Sequence, residues 1–164
     1  MDETKLEKMW GSVGFIMHLA QLIEYNIVNI IAGYEFLKDT NAQKKMTIGE
    51  YEKRAYRSNK KLHSLTDNKN TMGNVVKAAK DVNLFDEELT AKIDAIKERR
   101  DYYAHIFFKE QLLTKDMEND PDTLLDQLSL DIFEMNSINN QLLGIDKKQR
   151  EEANNFKRHI TKNT

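Results

Sequence analysis

From Leu6 to Ile31 apolar residues return at intervals of three and four: Leu6, Met9, Trp10, Val13, Ile16, Met17, Ala20, Ile23, Ile27, Ile30 and Ile31. Only a period near 3.6 places such a set on one side of the backbone, so the spacing predicts a helix from about Glu3 to Leu37. Phe15, Leu19 and Leu22 widen the stripe. A helix this broadly apolar must meet neighbours on more than one side, which puts it at the centre of the fold or in a dimer interface. His18, Gln21, Glu24, Asn26 and Asn29 interrupt it too often for a hydrocarbon span, and the acidic start Met1-Asp2-Glu3 is wrong for a signal peptide. No membrane association is expected. His18 and Glu24 either support a site or lie on the wetter side of the helix.

The remainder extends the helical pattern. One proline and six glycines in 164 residues, with no alternating β-branched runs, predict an all-α chain forming one domain, a bundle of four or five helices over residues 1–164. Without cysteine there is no thiolate catalysis, zinc-thiolate site or disulfide, which fits a reducing compartment and a cytoplasmic location. A formal charge of −2 gives no global basic coat, so any RNA contact must come from a local patch. No phosphate-binding Gly-rich loop, dinucleotide pattern, metal-binding His pair or nucleophile elbow occurs, so neither metal nor cofactor is expected.

A turn is expected at 39–43, after which Thr47-Ile48-Gly49-Glu50 has the form of a capping box and starts a helix to about Ser64. Ile48, Tyr51, Ala55, Leu62 and Leu65 mark its inner side. Lys53, Arg57, Lys60 and Lys61 fall on another, beside Arg54 and Tyr56. That basic stripe reads either as a surface tracking an RNA backbone or as a solvated face. Thr71 caps a short helix carrying Val75, Val76 and Ala79. Asp86, Glu87 and Glu88 then open a helix expected to reach about Leu113. Asp120-Pro121 starts the last helix, with Leu124, Leu128, Ile132, Met135, Ile138 and Leu142 inward and Gly144 as a break or kink. Residues 146–164, with Lys147, Lys148, Arg150, Lys157, Arg158 and Lys162, either extend that helix or fray.

Chemistry concentrates in the helix after Asp86. Leu89, Ile93, Ile96, Arg100, Tyr103 and Phe107 form one stripe, and Arg100 interrupts its apolar seam. Its guanidinium either snorkels to water or a carboxylate such as Glu98, or it marks an anion site. His105 adds an imidazole able to act as acid and base near neutrality. Asp101 precedes it by one turn, where a carboxylate can hold one tautomer. Arg99, Tyr102 and Tyr103 flank the set as candidate RNA contacts.

Arg100-Asp101-Tyr102-Tyr103-Ala104-His105 resembles the signature of the HEPN superfamily, in which an Arg, a polar residue and, a few positions on, a His lie on a late helix of an all-α domain. Thr71-Met72-Gly73-Asn74-Val75-Val76 is similar to a segment that opens a shorter helix in some HEPN-like proteins, so the resemblance covers roughly the middle half of the chain. It implies a metal-independent ribonuclease acting as a homodimer, with Arg100 and His105 near the two-fold axis, or else a non-catalytic binding module. It also implies a role as toxin or phage-defence effector, partnered by an antitoxin or a nucleotidyltransferase. In one toxin branch a Tyr two residues after the His is modified by such a partner. This sequence has Phe107 there, without the hydroxyl.

The chemistry expected is attack of a ribose 2′-oxygen on the adjacent phosphate. His105 moves the proton, Arg100 grips the phosphate through its planar fork, Asp101 orients His105, and Tyr102 or Tyr103 stacks a base. Residues five apart on a regular helix point about 140° away from each other. Either the helix loosens at the motif or a second copy completes the site and supplies a second His as general acid.

Overall fold

The structure is a computed structural model that describes residues 3–41, 46–65, 71–114 and 119–162. Among these the chain is all-α, with no strand: α1 Glu3–Asn41, α2 Ile48–Leu65, α3 Met72–Asp81, α4 Glu87–His105, α5 Phe107–Thr114 and α6 Pro121–Lys162. Its contacts fall into two units, Met1–Ile23 with Glu87–Asn140, and Glu24–Asp86 with Gln141–Thr164.

In the first unit α1 buries Met9, Val13, Ile16, Leu19, Ala20 and Ile23, as the periodicity predicts. Trp10 and Phe15 depart from expectation, at 54% and 44% exposed. Each follows or precedes a fully buried residue by one position, a rotation of about 100°, so burying the Met9–Ile16 line turns both rings toward solvent. Trp10 finds partial cover by stacking on Phe108, ring centres 3.9 Å apart. By length and composition α1 could cross a membrane, with mean hydropathy 1.3 over its most apolar window, but 56% of that window is buried within this chain, and a core helix passes the same test.

The capping box at 47–50 forms as its residue types dictate. The Thr47 N–H donates to Glu50 Oε2 at 2.8 Å and the Glu50 N–H donates back to Thr47 Oγ1 at 3.3 Å, satisfying two donors that the start of α2 leaves open. In the same unit Phe36, Leu37, Met46, Tyr51 and Ile160 pack as one cluster, with Ala153 and Phe156 against it. That cluster explains the C-terminal segment. Ile160 is buried and Ala153 and Phe156 are partly buried, so α6 extends through the segment to Lys162, and Gly144 neither ends nor interrupts the helix. α3 closes on Asn83, whose φ of 49° is the left-handed conformation that ends helices. The N–H groups of Asn83 and Leu84 donate to the carbonyls of Lys80 and Ala79.

The sharpest departure lies beside the motif. Instead of one helix to about Leu113, α4 stops at His105, Ile106 is a turn, and α5 resumes at Phe107. The chain stays close to helical across the interruption, since the Ile106 N–H donates to the Tyr102 carbonyl at 2.8 Å and the Glu110 N–H to the Ile106 carbonyl at 2.9 Å. The rings of Tyr102, Tyr103, Phe107 and Phe108 pack edgewise or tilted around it. α6 opens as expected, with Asp120 Oδ1 accepting from the Thr123 N–H at 3.3 Å.

Candidate functional site

α4 belongs to the first unit and buries Leu89, Ile93, Ile96 and Tyr103. Arg100 shares their stripe but keeps 32% of its side chain exposed, and its Nη1 donates to Asp101 Oδ1 at 2.8 Å. It therefore snorkels to a carboxylate, and that carboxylate is Asp101 rather than Glu98. Lys97 Nζ lies 3.5 Å from the other Asp101 oxygen. The Arg100 hydrogen bond, helped by both cations, holds the Asp101 carboxyl below its ordinary 3.8. Asp101 was expected to orient His105. Among the described residues no hydrogen bond or ion pair joins the two, because the carboxylate is taken by two permanent cations that lie one residue before it and one turn before it.

His105 is exposed and is the last residue of α4. The helix loosens only after it. The backbone between Arg100 and His105 is regular, so their side chains keep the divergence of about 140° that the helical repeat imposes.

Two aromatic candidates separate. Tyr103 is 5% exposed and donates its hydroxyl to Asp131 Oδ2. Burial first, and then the Asp131 carboxylate, push that hydroxyl far above its ordinary 10, so it remains a donor. A buried ring offers no face to an RNA base, which corrects the expectation for Tyr103. Tyr102 is half-buried, packs edgewise on Tyr103 and Phe107, and donates to Glu110 Oε2 at 2.7 Å across the α4–α5 turn.

Arg99 is also occupied. Its Nε lies 3.2 Å from Asp131 Oδ1 and its Nη1 2.9 Å from Glu134 Oε2. Its guanidinium is thus committed to carboxylates of α6 rather than presented to a phosphate. Gln127 Nε2 donates to the same Asp131 oxygen at 3.1 Å. The interior carboxylate Asp131 thus serves Arg99 and Tyr103. The signal for Asp131 was available: it stands three residues after Leu128 and four before Met135, on the buried side of α6.

The basic stripe belongs to the second unit. Lys53, Arg57 and Lys60 are exposed on α2, and Lys61 lies outside the residues whose side chains are described. Tyr56, 70% exposed, stands among them. Arg54 donates instead to the carbonyl of Asp39. Beside Arg54 and Arg57 is a cavity of about 310 Å³ that Glu35 and Asp39 also line, so its charge is mixed. In the C-terminal segment Arg150 pairs with Asp146 at 2.8 Å and Lys157 sits 5.8 Å from the centre of the Tyr51 ring. Among the described residues no three His, Asp or Glu side chains gather as a metal-binding group.

What this arrangement offers is one accessible guanidinium and one accessible imidazole on a single helix, divergent, with the buried polar network behind them fixing the helix that carries both. No family model matches the chain, and neither a curated protein nor a solved structure matches it.

Proposed function

We propose that the chain is a HEPN-like, metal-independent endoribonuclease that acts as a cytoplasmic homodimer, in the manner of a toxin or defence effector. The observation carrying this reading is that Arg100 and His105 stay accessible on a helix whose neighbouring stripe positions are buried. His105 takes the proton from a ribose 2′-hydroxyl. The freed oxygen attacks the adjacent phosphorus, the bond to the 5′-oxygen breaks, and that oxygen takes up a proton from water, leaving a 2′,3′-cyclic phosphate and a 5′-hydroxyl. Arg100 donates two hydrogen bonds to the phosphate oxygens as charge builds on them. Because the two side chains diverge on a regular helix, Arg100 of one copy works with His105 of the other. Lys53, Arg57 and Lys60, with Tyr56, form a separate basic surface on α2 suited to an RNA backbone and a stacked base.

A second reading, a non-catalytic helical dimer that binds nucleotide, RNA or a protein partner, is favoured by one observation. Arg100 already holds a carboxylate, and among the described residues no acid is bonded to His105. Incubation of the purified protein with single-stranded RNA and excess chelator separates the two. Cleavage with 2′,3′-cyclic phosphate ends is the expected result. Binding without cleavage, lost on Arg100→Ala, selects the second reading, and cleavage that requires magnesium contradicts the mechanism.

A further inference from the structure

Trp10 is the one tryptophan of the chain, and it stands at the surface, 54% exposed. Its indole lies flat on the Phe108 ring, centres 3.9 Å apart and planes 20° from parallel. The rings of Tyr102, Tyr103, Phe107 and Phe108 meet one another edgewise or tilted, as packed interiors favour. The indole differs: one face is covered by Phe108 and the exposure that remains leaves the other face open to a further flat ring.

Phe108 ties that pair to the candidate site. The chain stays near helical through the turn at Ile106, so His105, Phe108 and Lys109 come to one side, with the Cβ atoms of His105 and Phe108 about 5–6 Å apart. His105 and Lys109 are exposed, and Phe108 is half-buried against the indole. Lys109 pairs with no carboxylate among the described residues. One turn of chain therefore gathers a group for proton transfer, an open stacking face and an unpaired cation. Single-stranded RNA presents a complement to each: a ribose hydroxyl, an unstacked base and a phosphate.

Size argues against a protein partner here. A stable protein interface buries about 800 Å² on each side, whereas one aromatic side chain buries about 150–250 Å². One indole with part of a phenyl ring falls well short, and the chain neighbours Glu7, Lys8, Lys109 and Glu110 are all charged and exposed. A single base matches the area of the open indole face.

We propose that Trp10, backed by Phe108, stacks a base of the RNA strand beside the cut and so holds the strand at His105. The inference rests on the ribonuclease reading and names a contact of that site with its substrate.

Because Trp10 is the only indole, its fluorescence reports the contact directly on the full chain. A single-stranded RNA with 2′-O-methyl riboses lacks the attacking hydroxyl, so it binds without being cut, and it should quench Trp10. An abasic strand of the same length should leave the emission unmoved. Trp10→Ala should weaken binding of the 2′-O-methyl strand, read by anisotropy of a labelled copy, by about 5- to 150-fold, and Trp10→Phe, which keeps a ring, by less. On cleavable RNA the loss in Trp10→Ala should appear in KM with kcat little changed. Constant emission at saturating RNA, a strand that does not bind, equal quenching by the abasic strand, or emission that shifts when the protein alone is diluted, as it would if another copy covered the ring, would each overturn the proposal. RNA cut by a wild type whose emission the 2′-O-methyl strand leaves unmoved removes the stacking contact and leaves the ribonuclease standing. Quenching in a wild type that never cuts keeps the contact and removes only the ribonuclease.

Discussion

On the proposed mechanism, His105→Ala and Arg100→Ala are each expected to lower RNA cleavage by at least about a hundredfold, the lower end of what a positioned acid-base group contributes, with little change in the melting midpoint. His105 carries the only imidazole in the motif, so no other motif residue offers the same acid-base chemistry. The guanidinium supplies a forked, permanently charged donor, so Arg100→Lys should recover only part of the rate. Stability is spared because His105 is exposed and because the Arg100–Asp101 pair is partly in solvent, where such pairs contribute about 0–1 kcal/mol. Asp101→Asn should slow cleavage far less than His105→Ala, since Asp101 holds Arg100 and Lys97 rather than the imidazole. Parallel rate and melting measurements on the four variants decide this. A His105→Ala protein that cuts at the wild-type rate would rule out His105 as the acid-base group.

Asp131→Ala should destabilise the first unit by about 3 kcal/mol, because it leaves the buried Tyr103 hydroxyl without an acceptor and takes from Arg99 one of its two carboxylates. The Asp131 side chain is 6% exposed, and it accepts from the Tyr103 hydroxyl, the Arg99 guanidinium and the Gln127 amide. Tyr103→Phe, which keeps the ring and leaves Asp131 its other two donors, should cost about 1–3 kcal/mol. Urea unfolding of the two variants measures the difference. Equal, small losses would mean that water, not Asp131, satisfies these groups.

The all-α class was legible because periodicity and caps agree along the chain: the Thr47–Glu50 box, the Asp120-Pro121 start and the buried lines of α1 and α4 all follow from residue type and spacing. What one-dimensional spacing could not give is rotation about a helix axis. A stripe specifies a face to within about one residue, and that single step decides whether Trp10 or Met9 is buried, and whether Arg99 or Arg100 reaches an interior carboxylate. The turn at Ile106 was hidden because no Gly or Pro marks it. Spacing put Tyr103 in the stripe that is buried, but the carboxylate that takes its hydroxyl, Asp131, lies 28 residues away on another helix. For the candidate site, the place of Arg100 in the apolar stripe left snorkelling and an anion site both open, and the carboxylate that Asp101 would lend to His105 went to Arg100 and Lys97 instead.

On the proposed mechanism Arg100 and His105 act together across two copies, and mixing two dead proteins tests this most directly. Arg100→Ala and His105→Ala chains are unfolded together, refolded as a mixture and assayed on single-stranded RNA with chelator. Half of the dimers are then mixed, and each mixed dimer holds one intact pair, Arg100 from one chain and His105 from the other, so cleavage should return to about a quarter of the wild-type rate. A mixture as inert as either parent, with mixed dimers demonstrated by mass, would contradict the account.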